Sequence, residues 1–291
     1  MFAEFLQFLF SGITVGAIYA LVGLGFAIIY NASHVINFAQ GEFVMLGGMG
    51  TVFFLGLGMP LPVAIILAVL MTIVIGLILE KLAVEPAKDA PIVTLIIITI
   101  GASIFLRGAA ELAWGRNFHS VPSFSGNESI MLGGASIVPQ SLWVVGSTII
   151  IVIILHQFFS HTMTGKAIIA TSHNPLAARL MGINTRMVLL ISFGLSALLG
   201  SVAGILIAPI SLAYSSVGIM LGLKGFCAAV LGGLGKPMGA IAGGLIVGIS
   251  EALTAGYISS AYKDAVAFVI ILFVLFFLPS GLFGVRGTDR V

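Results

Sequence analysis

Charge is what this 291-residue chain has least of: 8% of its residues are Asp, Glu, Lys or Arg, against 59% hydrophobic. A soluble domain carries about 25% charged residues, so a water-facing surface cannot be built from this composition. Cysteine is almost missing too. Cys227 stands alone, which excludes an intrachain disulfide and leaves the redox compartment unread. Signatures of chemistry are absent. No G-x-x-x-x-G-K-[ST] run occurs, because Gly235-Lys236 is followed by Pro237, and neither G-x-S-x-G nor H-E-x-x-H is found. His156 and His161 have no adjacent Cys or carboxylate, which makes a poor metal site. Neither catalysis nor a cofactor or metal is expected. The net charge of +2 offers nucleic acid no basic surface.

What the chain has is long apolar runs, with a mean hydropathy of +1.22. Runs of about 18 or more residues recur, each able to cross roughly 30 Å of hydrocarbon as a helix. Alternating ten-residue strands are absent, and backbone groups in lipid must be satisfied within the span. The expected fold is therefore an all-α polytopic membrane protein, one transmembrane domain over 1–291. Spans are expected at about 5–30, 60–80, 91–113, 142–160, 187–209, 217–235, 238–256 and 265–283. The stretch at about 36–58 is apolar but glycine-rich and interrupted by Asn37, Gln40 and Glu42. It reads as a ninth crossing or as a broken, re-entrant element. Met1-Phe2-Ala3-Glu4 has no basic n-region, so the first apolar run is expected to be a retained span and not a cleaved signal.

Lys and Arg in short loops orient the spans. Lys81 and Lys88, then Lys166, Arg179 and Arg186, then Arg286 and Arg290 all fall on one side if two and four spans separate them, as the assignment above allows. That side is expected to be cytoplasmic, the C-terminus with it. The loop at about 114–141, with Arg116 its only Lys or Arg, then faces outward.

The hydrophilic island at about 161–186 holds one separately capped helix, Asn174-Pro175-Leu176-Ala177-Ala178-Arg179-Leu180-Met181-Gly182. Asn174 suits an N-cap, Pro175 the first helical position, and Gly182 the left-handed stop. A membrane protein that builds two turns of helix outside the bilayer offers them to a partner. A solvated connection is the plainer alternative. Glycines four apart, Gly12/Gly16, Gly200/Gly204, Gly239/Gly243 and Gly244/Gly248, let helices approach closely, within the chain or at a subunit interface. Val44-Met45-Leu46-Gly47-Gly48-Met49-Gly50 faintly echoes Ala229-Val230-Leu231-Gly232-Gly233-Leu234-Gly235, one copy in each half, which points to a transporter's midplane site, with chance similarity as the competing reading.

Ionisable groups inside spans are expensive and therefore informative. Asn37, Gln40, Glu42, Lys224 and Glu251 are the candidates for a translocation path. The Glu42 cluster reads equally as a polar lining or a hydrogen-bonded helix break. Glu251 reads first as a carboxylate bonded to a neighbouring helix. Arg107 and Glu111, four apart, are expected to pair with each other.

The run Ile36-Asn37-Phe38-Ala39-Gln40-Gly41-Glu42 resembles the signature of branched-chain amino-acid ABC transporter permeases of the H type. Lys224-Gly225-Phe226-Cys227-Ala228-Ala229-Val230-Leu231-Gly232-Gly233-Leu234-Gly235 is similar to a second run of that family. Gly165-Lys166-Ala167 through Gly182-Ile183-Asn184 resembles its coupling segment, and Pro279-Ser280-Gly281-Leu282-Phe283-Gly284 its ending. The chain differs in having Gln40 where many relatives have His, and Lys166 and Ile169 where an Arg-x-x-Arg pattern is common. The resemblance implies the fold of an ABC importer permease in a bacterial inner membrane. It also implies a second, M-type permease, two cytoplasmic ATPases and a periplasmic binding protein as partners. It places Lys166 and the helix from Asn174 to Gly182 in an ATPase groove. Leu, Ile and Val are the implied substrates. Urea, amides or another amino acid moved by the same machine remain open, as does an ion-coupled carrier working through Glu42 and Glu251.

Overall fold

The computed structural model describes residues 2–88, 90–126 and 128–284. Among these, helices α1 (Phe2–Ser33), α2 (Gln40–Gly56), α3 (Leu61–Leu79) and α4 (Ile92–Trp114) lead to a hairpin of β1 (Ile130–Leu132) and β2 (Ala135–Ile137). Helices α5 (Pro139–His161), α6 (Met163–His173), α7 (Pro175–Leu180), α8 (Thr185–Ser211), α9 (Val217–Gly232), α10 (Pro237–Tyr257) and α11 (Lys263–Phe277) follow. A π-helical turn, Glu80–Val84, and a 3-10 turn, Glu85–Ala87, extend α3. Seven helical stretches among the described residues are long and apolar enough to cross a membrane. The tail arginines Arg286 and Arg290 lie outside the described residues.

The expected span at about 217–235 is corrected to the 16-residue α9, and the stretch at 36–58 becomes the unbroken 17-residue α2. At 1.5 Å per residue these reach about 24 and 26 Å, short of a full crossing. Both begin inside the fold. Gln40, first residue of α2, touches Gly25 and Ser196. Gly25 lies about 12 Å along α1 from its end, and Ser196 about 17 Å from the start of α8. The chain from His34 to Ala39 therefore climbs to mid-depth as non-helical backbone before α2 starts. Such backbone is tolerated only where protein buries it, and Val35, Asn37 and Ala39 are all buried.

Helix α1 is apolar on every face and buried along most of its length, as a central helix should be. Around it, α3, α4, α5 and α11 turn Ile, Leu and Phe outward, an apolar exterior open to lipid or to a neighbouring subunit. The glycine pairs explain the tight centre. A Cβ on Gly248 would lie 2.3 Å from the Gly16 nitrogen, and one on Gly244 2.4 Å from the Ala20 nitrogen. Gly12 and Gly16 thus meet Gly248 and Gly244 across antiparallel α1 and α10, inside the chain and not at a subunit boundary. Gly204 likewise admits α2, where a Cβ would stand 1.9 Å from the Val44 carbonyl oxygen.

The two halves are arranged alike and run in opposite senses. Helix α1 packs on α10 as α8 packs on α3; α2 packs on α8, α3 and α4 as α9 packs on α1, α10 and α11. The short α2 and α9 cross where Gly41 meets Gly218 and Gly222. The glycine echo itself is not locally equivalent: Gly47 and Gly48 lie within α2, whereas Gly233 (φ +100°) ends α9.

One end of the bundle carries the start of α1, the hairpin and the described residues between α4 and β1, tied by Gln7 to Ser136 and by a His119–Ala213 bridge. The opposite end gathers the 80–88 turns, α6, α7 and Lys236; Arg186 approaches Glu85 there at 3.8 Å. The 80–88 and 161–186 loops thus share an end, as the spacing of spans requires.

Candidate functional site

A cavity of about 270 Å³ lies where α2 and α9 begin, walled by α1 and α4. Glu42 and Arg107 are its charged residues, with Ser103 beside them and Phe26, Phe38 and Phe226 as aromatic wall. The three rings contact in sequence, Phe226 lying 5.7 Å from both Phe26 and Phe38. Local sequence makes this space. Asn37 folds back so that its Oδ1 accepts the Ala39 N–H at 3.1 Å, which turns the chain into α2. Gly41 then allows the crossing: a Cβ there would stand 2.2 Å from the Gly218 carbonyl oxygen.

Glu42 Oε1 accepts the Ser103 hydroxyl at 2.8 Å and faces Arg107 Nη1 at 3.8 Å. Its other oxygen, Oε2, is buried with no hydrogen-bond partner among the described residues. The expected Arg107–Glu111 pair does not form. Glu111 bonds Arg116 at 2.7 Å instead. An Arg placed N-terminal to a Glu is the weaker order on a helix, and Arg116, beyond the helix end at Gly115, is free to fold back.

Of the other proposed path residues, Gln40 ties helices. Its Nε2 donates to the Ser196 carbonyl at 3.2 Å and its Oε1 accepts the Ser196 hydroxyl, which also reaches Gly25. Asn37 lies before α2, and its Nδ2 is buried and unpartnered among the described residues. Lys224 and Glu251 come together, but neither lines the cavity. Lys224 Nζ donates to Glu251 Oε1 at 2.7 Å and to Asp264 Oδ1 at 2.6 Å, and the Tyr19 hydroxyl donates to Glu251 Oε2 at 2.7 Å. The cluster pins α1, α9, α10 and α11 to one another, the neighbouring-helix role first read for Glu251. Sequence reasoning missed Asp264, forty residues from Lys224, because nothing beside it along the chain marks the pairing.

At the loop-rich end, α7 has the expected termini. Asn174 Oδ1 accepts the Ala177 N–H at 3.0 Å, Gly182 has φ +85°, and the Ile183 N–H reaches back to the Ala178 carbonyl at 3.0 Å. Pro175 opens the helix and Arg179 Nη2 reaches the Thr185 hydroxyl at 3.4 Å. Leu176, Leu180 and Met181 stand at 66, 80 and 84% exposure, while Ala178 packs inward. The island holds a second helix that was not foreseen, α6, with Lys166 in its first turn. Thr162, whose hydroxyl accepts the Gly165 N–H at 3.0 Å, was its signal. Asn174 closes α6 and opens α7, so the two make a rigid corner.

Residues 8–275 match the family described as "Branched-chain amino acid transport system / permease component". The chain is 32% identical to the high-affinity branched-chain amino acid transport system permease protein LivH of Salmonella typhimurium, covering 100% of this chain and 99% of that one. It is 32% identical to BraD, the corresponding protein of Pseudomonas aeruginosa (99% and 98% covered), and 27% to the ribose import permease RbsC of Escherichia coli (91% and 83%). A solved structure, PsaBC from Streptococcus pneumoniae in complex with Fab, superposes with a TM-score of 0.51 at 17% identity over 96% of this chain and 97% of that one, a likeness of fold alone.

Proposed function

This chain belongs to the branched-chain amino acid transport permease family, and from that membership we propose that it is the H-type permease subunit of an ATP-driven importer. It is a multi-pass protein of a bacterial inner membrane, one transmembrane domain, and carries leucine, isoleucine and valine. Its partners are an M-type permease, two cytoplasmic ATPases and a periplasmic binding protein. The observation that carries this reading is the exposed apolar face of α7, Leu176, Leu180 and Met181, on a rigidly capped helix at the basic end of the bundle. Basic loops mark the cytoplasmic side, so Lys88, Arg179, Arg186 and Lys236 orient that end inward, the C-terminus with it. The α6–α7 corner, Lys166 included, then meets the ATPase, whose closure is transmitted as rigid-body rocking of the permease pair. Glu42 and the cavity around it line the path. Gln40, Lys224 and Glu251 hold the helices that shape it, and Asn37 turns the chain into α2.

The test is to tag the chain, extract it in mild detergent and identify what co-purifies. An ATPase and a second permease in fixed stoichiometry, with ATP-dependent leucine uptake after reconstitution, is the expected result. A chain that purifies alone and moves solute without ATP overturns the reading.

A further inference from the structure

The cavity at the crossing of α2 and α9 has a charge pattern that the path reading alone does not require. It holds one carboxylate and one guanidinium, so its charged side chains sum to zero, and the rest of its wall is largely aromatic or aliphatic. The two charges are not spent on each other. Their closest approach is 3.8 Å, and that contact uses one oxygen of Glu42 and one nitrogen of Arg107. Glu42 Oε2 is left buried and unpartnered among the described residues, which costs free energy until the carboxylate gains a further donor. Arg107 keeps donors of its five N–H groups unused, and its side chain is 24% exposed. Ile100, Ile104 and Ile219 form a lip open to the outside of the subunit.

From this geometry we infer that the cavity is a transient binding site for an apolar α-amino acid in its zwitterionic form. The Glu42 carboxylate accepts the α-ammonium, Arg107 takes the α-carboxylate, and Phe26, Phe38, Phe226 and Leu223 pack on the side chain. A neutral pair of opposite charges matches a ligand that is itself a neutral pair of charges. A urea or simple amide has no charge for either group, and a lone cation leaves Arg107 as a repulsive neighbour. The positive ends of α2 and α9, which start here, reinforce the pull on a carboxylate. The inference rests on the functional reading above and assigns the substrate class at one place in the path.

The test uses the complete transporter, with its binding protein, in proteoliposomes and photo-leucine as probe. Cross-links are expected on α4 and α9, at the segments holding Ile100, Ile104, Ile219 and Leu223. Glu42→Gln should lower both cross-linking and leucine uptake by at least about tenfold, the worth of a charge-assisted hydrogen bond, while binding-protein-stimulated ATP hydrolysis persists. Ile104→Trp serves if that variant does not fold: residue 104 is exposed, so a larger ring blocks the lip without overpacking the core. It should abolish the same cross-links. Wild-type uptake with cross-links confined to other helices, or unchanged cross-linking and uptake in Ile104→Trp, overturns the site and leaves the importer reading intact. Absence of ATP-driven leucine uptake in the wild type overturns both.

Discussion

Replacing Lys224 with Met, which removes the cation shared by two ion pairs, should destabilise the subunit far more than replacing Asp264 with Asn, which breaks one of the two. The pairs measure 2.7 Å to Glu251 and 2.6 Å to Asp264, so distance does not separate them. Burial does. The Lys224 and Glu251 side chains are 6% and 10% exposed, whereas Asp264 is 47% exposed. An exposed partner is solvated either way, and its pair contributes about 0–1 kcal/mol. Removing the lysine strands Glu251 in the bundle with the Tyr19 hydroxyl as its remaining donor, and an uncompensated buried charge costs about 3–5 kcal/mol. Cys227, the single cysteine, supplies the assay. It is buried one turn from Lys224 on α9, so a thiol-reactive fluorophore labels it only as the helices open. The midpoint of thermal labelling, read on this chain's own band, should fall steeply in Lys224→Met and little in Asp264→Asn. Lys224→Met combined with Glu251→Met should recover much of the loss, because well-packed apolar side chains replace a buried pair at little cost. Equal midpoints in Lys224→Met and Asp264→Asn would falsify the assignment of Glu251 as a charge held by Lys224.

Other perturbations follow from the same geometry. Leu180→Glu, at an exposed site, should leave thermal labelling unchanged and abolish co-purification of the ATPase; normal ATP-driven uptake in that variant would remove α7 from the docking surface. Asn174→Ala should cost about 1 kcal/mol as a lost cap, and because that residue serves both α6 and α7 the measurable sign is faster proteolysis of the island. Gly248→Val drives a side chain into the α1 backbone, where a Cβ already lies 2.3 Å from the Gly16 nitrogen; expression as a folded subunit should collapse, and a normal yield would contradict the packing of α1 on α10.

The amino-acid sequence by itself determined everything that depends on neighbours along the chain. Scarcity of charge required a lipid-solvated exterior, run length placed the full spans, and Asn174, Pro175 and Gly182 marked α7 because a cap acts within three residues of itself. The glycines four apart announced close packing but not between which helices. Only the tertiary structure decided what depends on depth and distant contact. That α2 and α9 start in mid-bundle follows from Gln40 reaching Gly25 and Ser196, and hydropathy cannot register it because both helices are as apolar as a full span. Residues 107 and 111 looked like partners by spacing, yet Arg107 turns to Glu42 and Glu111 to Arg116. Five polar residues read along the chain as candidates for a path; folding spends Gln40, Lys224 and Glu251 on holding helices together and leaves Glu42 in the cavity wall, its Oε2 buried without a partner among the described residues. A buried polar group must find its partner wherever the fold brings one, and sequence separation carries no record of that distance.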